Sequence, residues 1–86
     1  MKLGAEMPPV SQFKRLDVRP LISGGQEPLS RIRATLDSLG ENQGLMLIAP
    51  FLPASLIELL GSEGFLSRFE PGTGRDWVVY FWRPEA

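Results

Sequence analysis

The sequence predicts a two-layer α/β sandwich, in which two helices cover one face of a four-stranded mixed sheet. Segments with strand and helix patterns alternate along the chain and end in two strands joined by a glycine-rich turn. The chain has 86 residues, of which 43% are hydrophobic, so it can build one small core. Strands that alternate with helices also predict parallel pairing and right-handed crossovers for the first two units.

The first predicted strand follows an N-terminal segment without periodicity. We expect residues 1–11 to form a flexible tail and residues 12–84 to form a single domain. From Phe13 onward, an imperfect alternation of apolar and charged residues indicates a half-buried strand. Pro20 is expected to end it, because proline cannot donate a ladder hydrogen bond.

The first predicted helix extends from Pro28 to Leu39. Proline fits the first helical turn, where its missing N–H group is not needed. Arg33 and Asp37 are four residues apart and are expected to pair on the outer side of this helix. The apolar residues recur at three- and four-residue steps and so share one face: Leu29, Ile32, Leu36 and Leu39.

The second half of the chain predicts a strand, a helix and a hairpin. After a turn at Glu41–Gly44, the continuous apolar run Leu45–Ala49 is typical of a strand buried on both faces. A short helix is expected from Pro53 to Gly61, and two strands at Gly64–Glu70 and Asp76–Arg83 follow it. The inward residues of the short helix are expected to be Leu56, Leu59 and Leu60.

Composition excludes several classes of function. The sequence has no Cys and no His, which excludes disulfides, thiolate nucleophiles, imidazole acid–base chemistry and zinc sites built on these residues. A formal net charge of −1 argues against nucleic-acid binding. No apolar run approaches the roughly 20 residues that span a membrane, and the first ten residues lack the apolar centre of a signal peptide. We therefore expect a cytoplasmic protein with no metal, cofactor, nucleic-acid or membrane partner.

Two motifs carry a family resemblance. The segment Leu16–Leu21 reads Leu-Asp-Val-Arg-Pro-Leu, and Glu27-Pro28 follow it before the first predicted helix. This opening resembles that of the TusA/SirA-like sulfur carriers, which implies a βαβαββ order over the domain. Together with Pro-Phe-Leu-Pro-Ala-Ser-Leu at Pro50–Leu56, it more closely resembles a group of uncharacterised bacterial domains related to those carriers. That resemblance implies no established activity.

The sulfur-carrying residue of those carriers is missing. In the carriers a cysteine precedes the first helix, where the helix dipole and free N–H groups stabilise its thiolate. The corresponding segment of this chain, Ser23–Gln26, reads Ser-Gly-Gly-Gln. A serine hydroxyl cannot form a persulfide, so sulfur relay is excluded, and we expect a domain that is not an enzyme.

The glycine-rich loop before the first predicted helix is one candidate binding site. Glycines ahead of helix N–H groups can bind an anion or a small ligand, and Arg19 could contribute a positive charge from the preceding strand. The alternative is that the glycines only allow the chain to turn, and that Asp17 and Arg19 form a structural pair on one side of that strand. The candidate ligand-binding residues are Arg19, Ser23, Gly24, Gly25 and Gln26.

The last predicted strand is apolar on both sides, although the helices can cover only one. Trp77, Val79 and Phe81 form one set of side chains, and we take the other set as the candidate partner surface. The alternatives are that the first set is the open one, or that the N-terminal tail covers the open face. We expect a non-catalytic binding or adaptor domain that uses this exposed sheet face for a protein partner or for self-association. Replacing Trp82 with Ser is then expected to weaken association at little cost in stability. The candidate partner-binding residues are Val78, Tyr80 and Trp82.

Overall fold

The computed structural model describes residues 7–84, which form a four-stranded mixed sheet with three helices. This architecture confirms the predicted fold class. The predicted flexible tail lies partly outside the described residues, and Val10–Gln12 form a single 3₁₀ turn before the sheet. The strands are β1 (Phe13–Asp17), β2 (Gly44–Ala49), β3 (Leu66–Pro71) and β4 (Trp77–Trp82), and the helices are α1 (Arg19–Ser23), α2 (Leu29–Asp37) and α3 (Ala54–Ser62).

The strand order in the sheet is β1-β2-β4-β3. β1 and β2 pair in parallel, as expected for strands joined through a helix. β4 is antiparallel to both of its neighbours, β2 and β3. The prediction that the second unit would also pair in parallel is wrong, because the final hairpin places β4 between β2 and β3.

The core lies between the helices and one face of the sheet. Alternate residues of β4 point to opposite faces, as predicted, and Val79 and Phe81 point toward the helices. Residues of α1, α2 and α3 pack against that same face, so the fold has two layers. The buried core residues are Val18, Ile32, Leu45, Leu47, Ala49, Leu60, Phe65, Val79 and Phe81.

Helix α1 was not expected from the sequence. Arg19 begins this helix and does not continue β1, because the Asp17 side chain accepts the backbone N–H of Arg19 at 3.0 Å and turns the chain. Pro20 then occupies the first helical turn, where its ring is favourable. Asp17 and Arg19 therefore lie on two successive elements and not on one strand.

Two side-chain contacts of the helices differ from those that the sequence predicts. In α3 the stripe that packs against the core is Leu56, Ile57 and Leu60, while Leu59 is exposed, so the predicted inward position of Leu59 is wrong. Both sets cover an arc of about 100° around a helix, so helical periodicity alone does not decide between Ile57 and Leu59. The bidentate partner of Arg33 is Glu63 and not Asp37, with 2.6 Å between Nη2 and Oε2. This pair joins α2 to the end of α3.

Candidate functional site

The carboxyl ends of the parallel strands carry a charged cluster. The Arg19 guanidinium donates to Asp17 Oδ2 at 2.7 Å and to Asp76 Oδ2 at 2.6 Å. Asp76 directly precedes β4, so the cluster connects the end of β1 to the start of β4, across the end of β2. Through these hydrogen bonds the Arg19 side chain connects β1 to β4, which are not neighbours in the sheet.

Hydrogen bonding within this cluster shifts two pKa values. The Arg19 side chain donates to Asp17 and holds the pKa of that carboxyl at about 2, below its ordinary value of 3.8. The same hydrogen bond, together with the one to Asp76, raises the pKa of Arg19 further above its ordinary value. Both groups therefore stay ionised at neutral pH. Arg19 is already bound to two carboxylates, which leaves it poorly placed to bind an added anion.

The low pKa of Asp17 predicts a pH-dependent contribution to stability. Because the folded-state pKa is depressed, this contribution is complete above about pH 4 and disappears as the pH falls toward about 2. We expect Asp17→Asn to lower the free energy of unfolding by about 1 kcal/mol at neutral pH, since the pair is partly exposed to solvent. The difference from wild type should shrink toward zero in urea unfolding curves recorded between these pH values.

The control for this experiment is Asp37→Asn. Asp37 is exposed in α2 and accepts no side-chain hydrogen bond among the described residues. If Asp17→Asn and Asp37→Asn give the same pH profile, the Asp17–Arg19 hydrogen bond contributes nothing specific to stability.

The glycine-rich loop uses its N–H groups internally. Gly24, Gly25 and Gln26 donate their backbone N–H groups to the carbonyls of Pro20, Ile22 and Leu21, respectively, at 2.8–3.0 Å. Gly25 has a φ of 77°, a left-handed conformation that favours glycine. These contacts favour the interpretation of the loop as a turn. The role of Ser23, Gly24, Gly25 and Gln26 in binding a ligand stays a prediction.

The N-terminus of α2 already carries a carboxylate. Glu27 Oε2 accepts the N–H of Leu29 at 2.5 Å, and Glu27 Oε1 accepts that of Ser30 at 3.4 Å. These are the N–H groups that an anion at the helix N-terminus would use. An anion bound there would have to displace Glu27.

The side chains of Val78, Tyr80 and Trp82 lie on the sheet face opposite the helices. In the pairing register, Val78 and Tyr80 stand beside Ile48 and Met46, on the side away from the core residues of β2. They are not an exposed patch, however. Tyr80 is 8% exposed and Trp82 is 6% exposed, so the expected open aromatic surface is wrong.

Phe13 contacts both of these aromatic side chains. It stands directly opposite Gly44 in the β1–β2 register, where the missing side chain of glycine leaves room for its ring. The ring packs edge-to-face against Tyr80, with 5.2 Å between centroids, and against Trp82, with 6.4 Å. The Tyr80 hydroxyl donates to Glu70 Oε2 at 3.3 Å, and burial together with the nearby Glu70 charge raises the Tyr80 pKa.

An apolar groove opens beside the charged cluster, between the N-terminal ends of α2 and α3. It has a volume of about 400 Å³, and its floor is formed by residues at the carboxyl ends of the parallel strands. Ligands of open α/β sheets commonly bind at this edge. The residues that shape the groove are Val18, Ile22, Leu29, Ile32, Leu47, Ala49, Phe51, Leu52 and Leu56.

Exposed apolar side chains form the rim of this groove. Phe51 is 53% exposed and Leu29 is 37% exposed. Phe51 follows β2 in the segment Pro50–Pro53, and the two prolines hold that segment outside regular structure before α3 begins. None of the described lining residues is ionisable, and Ser55 supplies the hydroxyl among them. The groove can therefore bind an apolar group but offers no acid, base or charged ligand.

A family model described as Uncharacterized conserved protein (DUF2249) matches residues 15–83. The chain belongs to the DUF2249 family. A comparison with curated proteins found no match, and a comparison with solved structures found none either. The relationship of this DUF2249 domain to the TusA/SirA-like carriers stays a prediction. Because the family description names no activity, the function has to be inferred from the geometry of the domain.

The rest of the DUF2249 domain provides little support for other kinds of site. Within residues 7–84, no group of three or more Asp and Glu side chains is placed to hold a metal ion. The helices of the described residues are too short for a membrane span. The aromatic cluster of Phe13, Tyr80 and Trp82 and the charged cluster around Arg19 both have evident structural roles.

The sequence does not predict the groove, although two of the segments that line it are recognisable in the sequence. Leu45–Ala49 predicts a buried strand, and Pro50-Phe51-Leu52-Pro53 carries the family resemblance and predicts the start of a helix. An aromatic residue between two prolines at the carboxyl end of a parallel strand is a candidate for the ligand edge of the sheet. Whether its side chain turns inward or stays exposed depends on neighbours far along the chain.

Proposed function

We propose that this DUF2249 domain is a non-catalytic binding domain that receives an apolar side chain of a protein partner in the groove beside Phe51. The observation that carries this proposal is the apolar groove of about 400 Å³ with a rim of exposed hydrophobic residues. The absence of Cys and His from the whole sequence, and of ionisable side chains from the described lining, supports a binding role over catalysis.

A protein partner fits the groove better than a free metabolite. Metabolites in water carry polar or charged groups, which need convergent polar partners in a binding site. The described lining offers the Ser55 hydroxyl for this purpose, whereas the rim offers an aromatic ring that is half exposed. Protein interfaces typically centre on one aromatic or aliphatic anchor in such a pocket.

The other candidate surfaces have weaker support. Tyr80 and Trp82 are buried and contact the Phe13 ring, which limits what a partner could contact on that sheet face. The N–H donors of the glycine-rich loop and of the α2 N-terminus already have acceptors. The groove is therefore the surface on which we place partner binding, and anion binding by the loop stays the alternative.

The proposal predicts weak, saturable binding of small side-chain mimics. Burying one large apolar side chain contributes roughly 1.5–3 kcal/mol, so single residues should bind only at high concentration. In titrations with N-acetyl-phenylalaninamide and N-acetyl-leucinamide, we expect saturable NMR shifts at the backbone amides of Val18, Leu29 and Ala49. Phe51→Ser should weaken binding about five- to tenfold, which corresponds to roughly 1–1.4 kcal/mol of lost contact.

Val10→Ser is the matched control, because Val10 is an exposed hydrophobic residue, 57% accessible, in the 3₁₀ turn before β1. It should leave the affinity unchanged. N-acetyl-serinamide should give no saturable shift. Equal shifts with the serine and phenylalanine compounds would exclude the groove as an apolar site. Saturable shifts at Gly24–Gln26 on adding phosphate, with none in the groove, would favour the anion-binding alternative.

A further inference from the structure

Strand β3 forms an exposed edge of the sheet. It pairs with β4 on one side, and on its other side no strand lies among residues 7–84. Every residue from Ser67 to Pro71 is exposed. An edge of this kind presents unpaired backbone N–H and C=O groups, which can pair with a strand of another chain.

The side chains of β3 favour one particular neighbour. Arg68 and Glu70 both lie on the face opposite the helices, where they stand beside Tyr80 and Val78. Phe69 lies between them on the helix side, 48% exposed, with its ring 5.9 Å from that of Trp77. Opposite charges two residues apart on one face become complementary when the strand meets its own copy in antiparallel orientation.

We propose that the domain forms a homodimer by antiparallel pairing of β3 with β3 of a second copy, centred on Phe69. A twofold axis at Phe69 places Arg68 of each copy opposite Glu70 of the other. The same axis brings the two exposed Phe69 rings together on the helix side. The product is a continuous eight-stranded sheet with both helix layers on one side.

Charge and pleat exclude the neighbouring registers. Centring the axis on Arg68 places two arginines opposite each other, and centring it on Glu70 places two carboxylates together. An axis between two residues would pair a side chain of one face with a side chain of the other, which is incompatible with the pleat. Pro71 has no N–H to donate, so it limits the pairing at the end of the strand.

Charge reversal tests this register. We expect wild type to show a concentration-dependent monomer–dimer equilibrium in sedimentation velocity over about two orders of magnitude in concentration. Arg68→Glu and Glu70→Arg should each raise the dimer dissociation constant about tenfold or more, because each places like charges opposite each other. An equimolar mixture of the two variants should associate again, since every reversed side chain then faces its opposite charge.

The matched control is Arg75→Glu, which reverses an exposed charge in the turn before β4 and should leave dimerisation unchanged. Urea midpoints of all variants establish that they fold. Phe51→Ser should dimerise like wild type, because Phe51 lies in the groove and not in β3. The dimer proposal can therefore hold even if the groove does not bind an apolar side chain. A wild type that stays monomeric, or single reversals that dimerise as well as wild type, would overturn the proposal.

Discussion

Replacing Trp82 with Ser is expected to lower the free energy of unfolding by about 3–5 kcal/mol, the range for removing a large buried aromatic side chain. Trp82 is only 6% exposed and packs against the Phe13 ring, although it lies on the sheet face opposite the helices. This reverses the expectation from the sequence, which assigned Trp82 to an open surface with little effect on stability. The urea unfolding midpoint of the variant measures the effect.

Trp82→Phe is the matched variant. It keeps an aromatic ring and removes the indole N–H, which is buried without a hydrogen-bond partner in the described part of the chain. Removing an unsatisfied buried donor is close to neutral or stabilising, so the cost should stay below about 1.5 kcal/mol. A Trp82→Ser midpoint equal to that of wild type would show that the ring does not contribute to the core.

The second large effect is expected from Gly44→Ala. A Cβ atom at this position would collide with the Phe13 ring and lie 2.7 Å from the backbone carbonyl oxygen of Phe81. The ring can rotate away, but the carbonyl belongs to β4 and moves only with the sheet. We expect a loss of roughly 1–3 kcal/mol, as for other overpacked core positions. Near-UV circular dichroism should also change, because the Phe13 ring must leave Tyr80 and Trp82.

Gly61→Ala tests whether this effect comes from the close approach of the ring. Gly61 lies in α3, and a Cβ atom added there would meet no atom within 4 Å beyond its own helix and chain neighbours. Alanine at this position should raise the free energy of unfolding by about 0.5–1 kcal/mol, because it lowers the entropy of the unfolded chain. If Gly44→Ala also raises the free energy of unfolding, the packing of Phe13 over Gly44 is not as described.

The sequence by itself determined most of the elements of this fold. The three- and four-residue spacing around Ile32 predicted α2, and the apolar run Leu45–Ala49 predicted β2. The alternation in Trp77–Trp82 predicted which side chains of β4 point to the same face. These predictions hold because hydrophobic periodicity, glycine and proline determine secondary structure over a few neighbouring residues. The chain is also short enough to form only one small core.

The tertiary structure decided how those faces are covered. The sequence predicted that Tyr80 and Trp82 share a face away from the helices, but not that they are buried there in contact with Phe13, which is distant along the chain. The sequence predicts that Gly44 belongs to a turn, whereas in the sheet it leaves the space that the Phe13 ring occupies. Such contacts depend on strand register, which local patterns do not determine.

The candidate site depends on tertiary structure for the same reason. The sequence placed Arg19 beside a loop that could bind an anion, but the partners that engage it include Asp76, which follows 57 residues later. The groove forms only where the ends of β1 and β2 meet the first turns of α2 and α3. Local sequence sets the shape of each segment, whereas charge pairing and cavities depend on contacts between segments that are distant along the chain.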